Sequence, residues 1–302
     1  MCFRDLGNER TREMKDYCDM HTHSTESDGT FTPKELVLAA KELDLAYLAL
    51  TDHDTIAGIP EAIEAAEKAG VQLITGIEVI IDCTELPISL VDDSSLHMLG
   101  YLSHKNIFKM AVFQERLYEI RNERNIKMFE KAEKIGLPIT IDDLKKSSSG
   151  KVITRGHFLR ALIEKGYAKD KEDAFLKFLM PGGLIYVRKE KLSPQEVLKV
   201  ITDNGGVAVL AHPLLIGLSN DELEALVIRL KTLGVTGIEA VYVENKPGQT
   251  EQIIELAARH QMFVTGGSDF HGDIKPGIYL GTGYGNLRVP KILAENVLKR
   301  IN

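Results

Sequence analysis

An α/β fold built on a mainly parallel sheet is predicted for this chain, and three observations predict it. Seven short apolar, β-branched runs alternate with stretches of helical periodicity. Several of those stretches carry explicit start and stop signals. His, Asp and Glu residues recur just after the apolar runs, where the strands of such a sheet end.

The predicted strands are residues 17–21, 46–51, 71–77, 95–102, 206–211, 237–241 and 262–266. Thr32-Pro33-Lys34-Glu35 opens the first helix, with Thr32 as N-cap, Pro33 at N1 and Glu35 at N3, running to about Leu43. Residues 59–69 form the next and stop at Gly70, a C′ glycine. Residues 220–233 and 248–260 follow the same scheme. Seven strands in this rhythm suggest a closed or distorted barrel rather than an open doubly wound sheet. The chain has neither G-x-G-x-x-G nor a Walker A motif, which excludes nucleotide binding by those routes.

Residues 104–192 break the rhythm. Phe113, Leu117, Ile120 and residues 124–135 show helical spacing, and residues 158–165 and 171–179 read as further helices. This block is expected to be a helical insertion beside the barrel, which comprises residues 16–103 and 193–302. Ser193-Pro194-Gln195-Glu196 starts the helix that returns to it, with Ser193 as N-cap. The net charge of −7 divides unevenly: residues 104–195 carry +8 and the remainder −15. Such asymmetry points the insertion toward an anionic partner, against the plainer reading of a solvated helical surface.

At 302 residues and 44% hydrophobic composition the chain can bury a full core. It has no apolar run of about 18 residues, so no membrane span is expected. Residues 1–15 lack the apolar segment of a signal peptide and read as an unpacked extension, with Met14 a possible start. Three cysteines (Cys2, Cys18, Cys83) without a C-x-x-C indicate a reduced, cytoplasmic protein in which Cys18 and Cys83 pack the core.

The chemistry lies in His21-Thr22-His23 after the first run. Residues two apart on a strand share a face, so both imidazoles can reach one metal ion. Asp28 follows in the next loop, His53 and Glu78 end the second and third strands, and His97 lies inside the fourth. His212 follows the fifth strand, and Asp269 and His271 follow the seventh. Six of the nine histidines belong to this set. A lone histidine is usually a satisfied structural residue, but nine ligand-type residues, eight of them at or just beyond strand ends, predict one metal cluster. His104 and His260 stand outside it, and His260 is expected to face the C-terminal dipole of its helix.

The stretches DMHTHSTESDG, LALTDHDT, TGIE, LHMLGY, VLAHP and GSDFHG together resemble the PHP (polymerase and histidinol phosphatase) family. That resemblance implies a distorted seven-stranded barrel and a site for two or three divalent ions, Mn, Fe, Zn or Mg. It is closer to the branch of 3′,5′-nucleoside bisphosphate phosphatases and 5′→3′ exoribonucleases of the RNase AM type. An R-x-H motif in that branch's insertion is matched by Arg155-Gly156-His157, and GGLIYVRKEKLSPQEV also looks like it. The resemblance implies one metal on His21, His23, Glu78 and Asp269, a second on Asp28, His53 and His212, and a third on Glu78, His97 and His271. Arg155 and His157 would bind substrate phosphate, Asp52 and Asp54 would support the ligands, and Glu239 would stand behind them.

The implied activity is hydrolysis of phosphate monoesters of small nucleotides by a metal-activated water. One alternative is a 5′→3′ exonuclease on short RNA. Another hydrolase class, acting on C–N bonds, also opens with H-x-H but commonly bridges its metals with a modified lysine where this chain has Glu78. A metal-stabilised scaffold without activity is the non-enzymatic alternative. The expected partner is a small phosphorylated substrate, with no membrane and no obligate protein partner.

Overall fold

The computed structural model describes residues 14–88, 96–145 and 152–301. Its seven strands are β1 (Cys18–Asp19), β2 (Tyr47–Leu50), β3 (Leu73–Ile81), β4 (Leu96–Leu102), β5 (Val207–Leu210), β6 (Gly237–Tyr242) and β7 (Phe263–Gly267). They lie side by side in sequence order. The sheet curls until its edges meet: the Met20 amide donates to the Gly266 carbonyl at 3.2 Å and Thr22 bridges Phe270. Gly267 permits that closure, because a Cβ there would lie 2.4 Å from the Cβ of His21. Tyr101 crosses the interior to donate to the Met20 carbonyl at 2.7 Å.

One strand departs from the parallel pattern. β4 runs antiparallel to both β3 and β5, while every other neighbouring pair is parallel. Residues 82–95 carry no helical pattern in the sequence, and strands joined without a helical crossover pair antiparallel. The third strand is also longer than predicted. β4 pairs with it from Thr75 to Ile81, so Glu78 lies mid-strand instead of ending it.

Around the barrel stand α1 (Pro33–Glu42), α2 (Ile59–Ala69) and, after the insertion, α7 (Pro194–Asp203), α8 (Asn220–Leu233), α9 (Gln249–Arg259) and α10 (Lys291–Leu298). The predicted caps of Thr32 and Ser193 are full capping boxes, and Gly70 ends α2 in the left-handed conformation at φ 71°. Apolar faces of these helices pack on the outer strand residues in one large cluster. Met14 belongs to that cluster at 5% exposure, so the segment expected to be unpacked is anchored at its end; residues 1–13 lie outside the described residues. Cys18 and Cys83 are buried and unpaired, whereas Cys2 lies outside the described residues.

α3 (Ala111–Lys134) belongs to two cores. Phe113 and Leu117 near its start pack with the barrel helices. Met128 and Ala132 near its end pack with Phe158, Leu162 and Ile185 in a separate cluster. α4 (Ile141–Lys145), α5 (Arg155–Glu164) and α6 (Lys171–Ala174), with a π turn at Phe175–Leu179, complete that unit. α5 begins three residues before the predicted start. Thr154 caps it with His157, not Glu or Gln, in the N3 position of the box, a signal that the usual S/T-x-x-E pattern overlooks. Charged contacts tie the unit to the barrel: Arg121 and Lys189 both bond the Asp54 carboxylate, Arg116 Nη2 bonds Glu196 Oε1 at 3.0 Å, and Lys171 Nζ bonds the Ile274 carbonyl at 2.7 Å.

Candidate metal centre

The nine side chains named from the sequence converge at one end of the barrel around Glu78. Its Oε2 lies 3.2 Å from His21 Nε2, 3.3 Å from His23 Nε2 and 2.9 Å from His53 Nδ1. Its Oε1 lies 2.8 Å from His97 Nδ1 and 3.0 Å from His212 Nε2. Asp269 Oδ1 is 3.1 Å from His23 Nε2, and His271 Nε2 is 3.3 Å from Asp28 Oδ1. The antiparallel course of β4 explains His97. Near the N-terminal end of a reversed strand, it opens onto the same rim as the C-terminal ends of its parallel neighbours.

The backbone delivers these groups by local pairing. Asp54 N donates to Glu78 O at 2.9 Å and Glu78 N to Asp52 O at 3.1 Å, which lays the loop of His53 against β3. Asp52 accepts from Ser24 N and from the hydroxyls of Ser24 and Ser27, holding the loop that presents Asp28. Glu239 accepts from His21 Nδ1 at 3.1 Å and from His212 N at 2.8 Å. The proton of His21 is thereby fixed on Nδ1, and the Nε2 lone pair faces the centre. Glu239 lies within β6, which pairs with β7 as far as Tyr242. His212 and Asp269 hold positive φ of 25° and 50°, conformations that cost energy and recur at functional sites.

Two groupings differ from those the resemblance implied. Ligand atoms of His21, His23, Glu78 and Asp269 fall together, as expected. His271 gathers with His23, Asp28 and His53, however, and Glu78 gathers with His53 and His97. His212 lies against Glu78 and His97, its ring centroid 4.9 Å from that of His97. His212 and His271 thus exchange places: β5 neighbours β4, which carries His97, whereas the chain after β7 returns beside β1 and Asp28.

The donors fit divalent cations. His21 Nε2, His23 Nδ1 and Nε2, Asp28 Oδ1, His53 Nδ1 and Glu78 Oε2 are buried without a hydrogen-bond partner. Buried polar atoms seldom go unpaired, and several facing one another at about 3 Å call for a shared cation. A set of imidazoles and carboxylates suits Zn, Mn or Fe. Burial raises Asp28, Glu78 and Asp269, but neighbouring imidazoles, and Lys275 beside Asp269, hold all three carboxyls well below their ordinary range. Lys275 and Tyr242, which sequence reasoning did not single out, bond Asp269 Oδ2 at 2.5 and 2.8 Å. No motif marked either one.

A cleft of about 170 Å³ opens over this centre. Asp28, His53 and His97 form its floor, and Arg121, Arg124, Arg155, Lys189 and Lys191 of the insertion form its wall. The surplus charge read from the sequence therefore faces the ligands. His157 is 2% exposed, and its Nδ1 accepts from Thr154 N at 3.0 Å, which leaves the proton on a buried, unpartnered Nε2. Burial, with Arg160 and Arg121 nearby, lowers it to about 4, so it is neutral at pH 7. His157 thus presents one N–H donor at Nε2. His260 pairs with Glu224 at 2.7 Å, and His104 bonds the Leu73 carbonyl at 3.0 Å.

The PHP domain model matches residues 19–181 of the chain. This chain belongs to the PHP domain family. It is 34% identical over 255 residues to the 5′-3′ exoribonuclease Rnm of Escherichia coli K12, covering 84% of each. It is 31% identical over 254 residues to a 3′,5′-nucleoside bisphosphate phosphatase of Chromobacterium violaceum, covering 84% of this chain and 86% of that one. A crystal structure from Bifidobacterium adolescentis, described as a candidate metal-dependent phosphoesterase, superposes with a TM-score of 0.76 at 33% identity, over 94% of this chain and 96% of that one. No helix among the described residues is long and apolar enough to cross a membrane.

Proposed function

We propose that this PHP-family chain is a metal-dependent phosphoesterase that hydrolyses phosphate monoesters of small nucleotides. The observation that carries the reading is the convergence of nine ligand-type side chains, with orphaned buried donor atoms, beneath a wall of cations. Residues His21, His23, Glu78 and Asp269 would hold one cation; Asp28, His53 and His271 a second; and Glu78, His97 and His212 a third, with Glu78 shared. Such cations supply Lewis-acid chemistry, lowering the pKa of water and neutralising phosphate charge. Arg155, at the start of α5, offers a planar fork for phosphate oxygens, and the neutral His157 offers one N–H donor. Arg121, Arg124 and Lys189 add positive charge that favours a substrate with more than one anionic group. The relative from Chromobacterium violaceum, a bisphosphate phosphatase, agrees with such a substrate. Unpaired buried cysteines agree with a cytoplasmic setting.

A second reading, 5′→3′ exonuclease action on short RNA, is favoured by the identity to the exoribonuclease and by a second concavity beside the first. The deciding experiment is a screen of nucleoside 5′-, 3′- and 3′,5′-phosphates beside 5′-phosphorylated oligoribonucleotides, with metal analysis of the same preparation. Release of inorganic phosphate supports the first reading, and release of mononucleotides the second. Activity should vanish on chelation and in His21→Ala. A metal-loaded protein inert to every phosphate ester would make it a scaffold. Arg155→Ala should lower kcat/KM by about 100-fold, as for a lost charge-assisted pair of bonds, with metal content intact; loss of metal in that variant would refute the phosphate-binding role.

A further inference from the structure

Arg155 stands where a cation is hard to hold. It is the first residue of α5, at the positive end of that helix's dipole. It also lines the cleft over the metal centre together with Arg121, Arg124, Lys189 and Lys191. Like charges repel across such a space, and an arginine side chain has the freedom to swing away into solvent. Its guanidinium nonetheless lies over the ring of Phe175, with Cζ 5.9 Å from the ring centroid. That distance is within reach of the attraction between a cation and the negative face of an aromatic ring.

Phe175 begins the π turn Phe175–Leu179, which is closed by the Met180 amide donating to the Phe175 carbonyl at 3.0 Å. Such turns are rare and recur at functional sites. Phe178 and Leu179 are buried with Phe158, Ala161 and Leu162 of α5, which docks the turn on that helix. Phe175 itself stands outside that cluster and is 42% exposed. Core packing therefore does not account for an aromatic ring at this position, whereas the cation over it does. The chain after the turn pairs back on it, Leu184 N donating to Lys177 O at 2.9 Å and Ile185 N to Phe178 O at 3.2 Å. It then runs on to Val187, Lys189 and Lys191 in the cleft wall. One framework thus carries both the ring and the wall.

We propose that Phe175 is a positioning residue: the face of its ring holds the Arg155 guanidinium at the cleft and so strengthens the grip of the site on phosphate. This inference rests on the phosphoesterase reading and on the place it gives Arg155, and adds what keeps that side chain there. An aliphatic side chain cannot substitute, because the attraction comes from the ring quadrupole and not from apolar area.

The test measures the dissociation constant of inorganic phosphate by calorimetry on the metal-loaded protein, beside KM for an aryl phosphate. Phe175→Leu keeps an apolar side chain at an exposed position and removes the ring. Phosphate should then bind about fivefold more weakly, the scale of one cation–ring contact, and KM should rise in step with metal content unchanged. Phe175→Tyr keeps the ring and should retain wild-type affinity. In an Arg155→Ala background, Phe175→Leu should cost nothing more, since the cation it holds is gone. A merely structural role would still weaken phosphate binding in that background, by displacing α5 and with it His157. Equal affinities of wild type and Phe175→Leu, Phe175→Tyr as weak as Phe175→Leu, or a loss that persists without Arg155 overturns the inference and leaves the phosphoesterase reading standing. A wild type that binds phosphate but cleaves no phosphate ester overturns that reading, while the affinities still decide the role of Phe175.

Discussion

Asp54→Asn tests the joint between barrel and insertion. The Asp54 carboxylate is fully buried and bonds both Arg121 and Lys189, which are themselves 5% and 8% exposed. Burial raises its pKa, yet the two cations hold it well below the ordinary range. An amide at this position keeps the shape and tolerates the φ of +56°, since asparagine visits the left-handed region readily. What it removes is the charge, leaving two buried cations without a counterion. Breaking a buried pair in this way costs about 3–5 kcal/mol. Urea unfolding, monitored by circular dichroism in the presence of a chelator so that metal binding does not contribute, should show that loss as a lower midpoint with the same slope. Lys189→Met added to Asp54→Asn should recover part of it, because one of the orphaned charges is gone. A variant that unfolds at the wild-type midpoint, or a second substitution that recovers nothing, would refute the reasoning.

Glu78→Gln should reduce bound metal to at most one ion per chain by elemental analysis, because the carboxylate touches five imidazoles and lies in two of the ligand groups. Burial, with Arg121 and Arg124 adding positive charge nearby, lowers Lys189 to about 7. Between pH 7 and its unfolded value of about 10.4 the unfolded chain binds the extra proton, so this group's destabilising contribution is full below pH 7 and fades as pH rises. The same loss of charge should raise KM for an anionic substrate above pH 7, and Lys189→Arg should flatten that rise in a pH profile. Gly267→Ala drives a Cβ to 2.4 Å from the Cβ of His21; thermal unfolding should show a loss of about 1–3 kcal/mol, the cost of overpacking, and metal affinity should fall as His21 shifts.

Much of the fold was legible because local physics repeats along the chain. Thr32 and Ser193 announce their helices through capping boxes, and Gly70 announces a stop. The start of α5 was hidden because His157 does the work usually given to Glu. The reversed direction of β4 left only a negative trace, the missing helical pattern before it, and that reversal is what turns His97 into the site. Lys275, Tyr242 and Arg121 sit in ordinary-looking sequence, and their roles depend on what they meet across the fold.

The amino-acid sequence alone determined the kind of chemistry: imidazoles and carboxylates following apolar runs are donor sets for divalent cations wherever strands end together. It also determined that the middle of the chain is basic, since charge is a property of composition. Which histidine joins which carboxylate was decided only by the tertiary structure. The exchange of His212 and His271 depends on strand order around a closed sheet, and neighbours around a ring are fixed by pairing between segments far apart in the chain. The meeting of Phe175 with Arg155 was decided there too, for a turn and a helix face each other only once the core between them is packed.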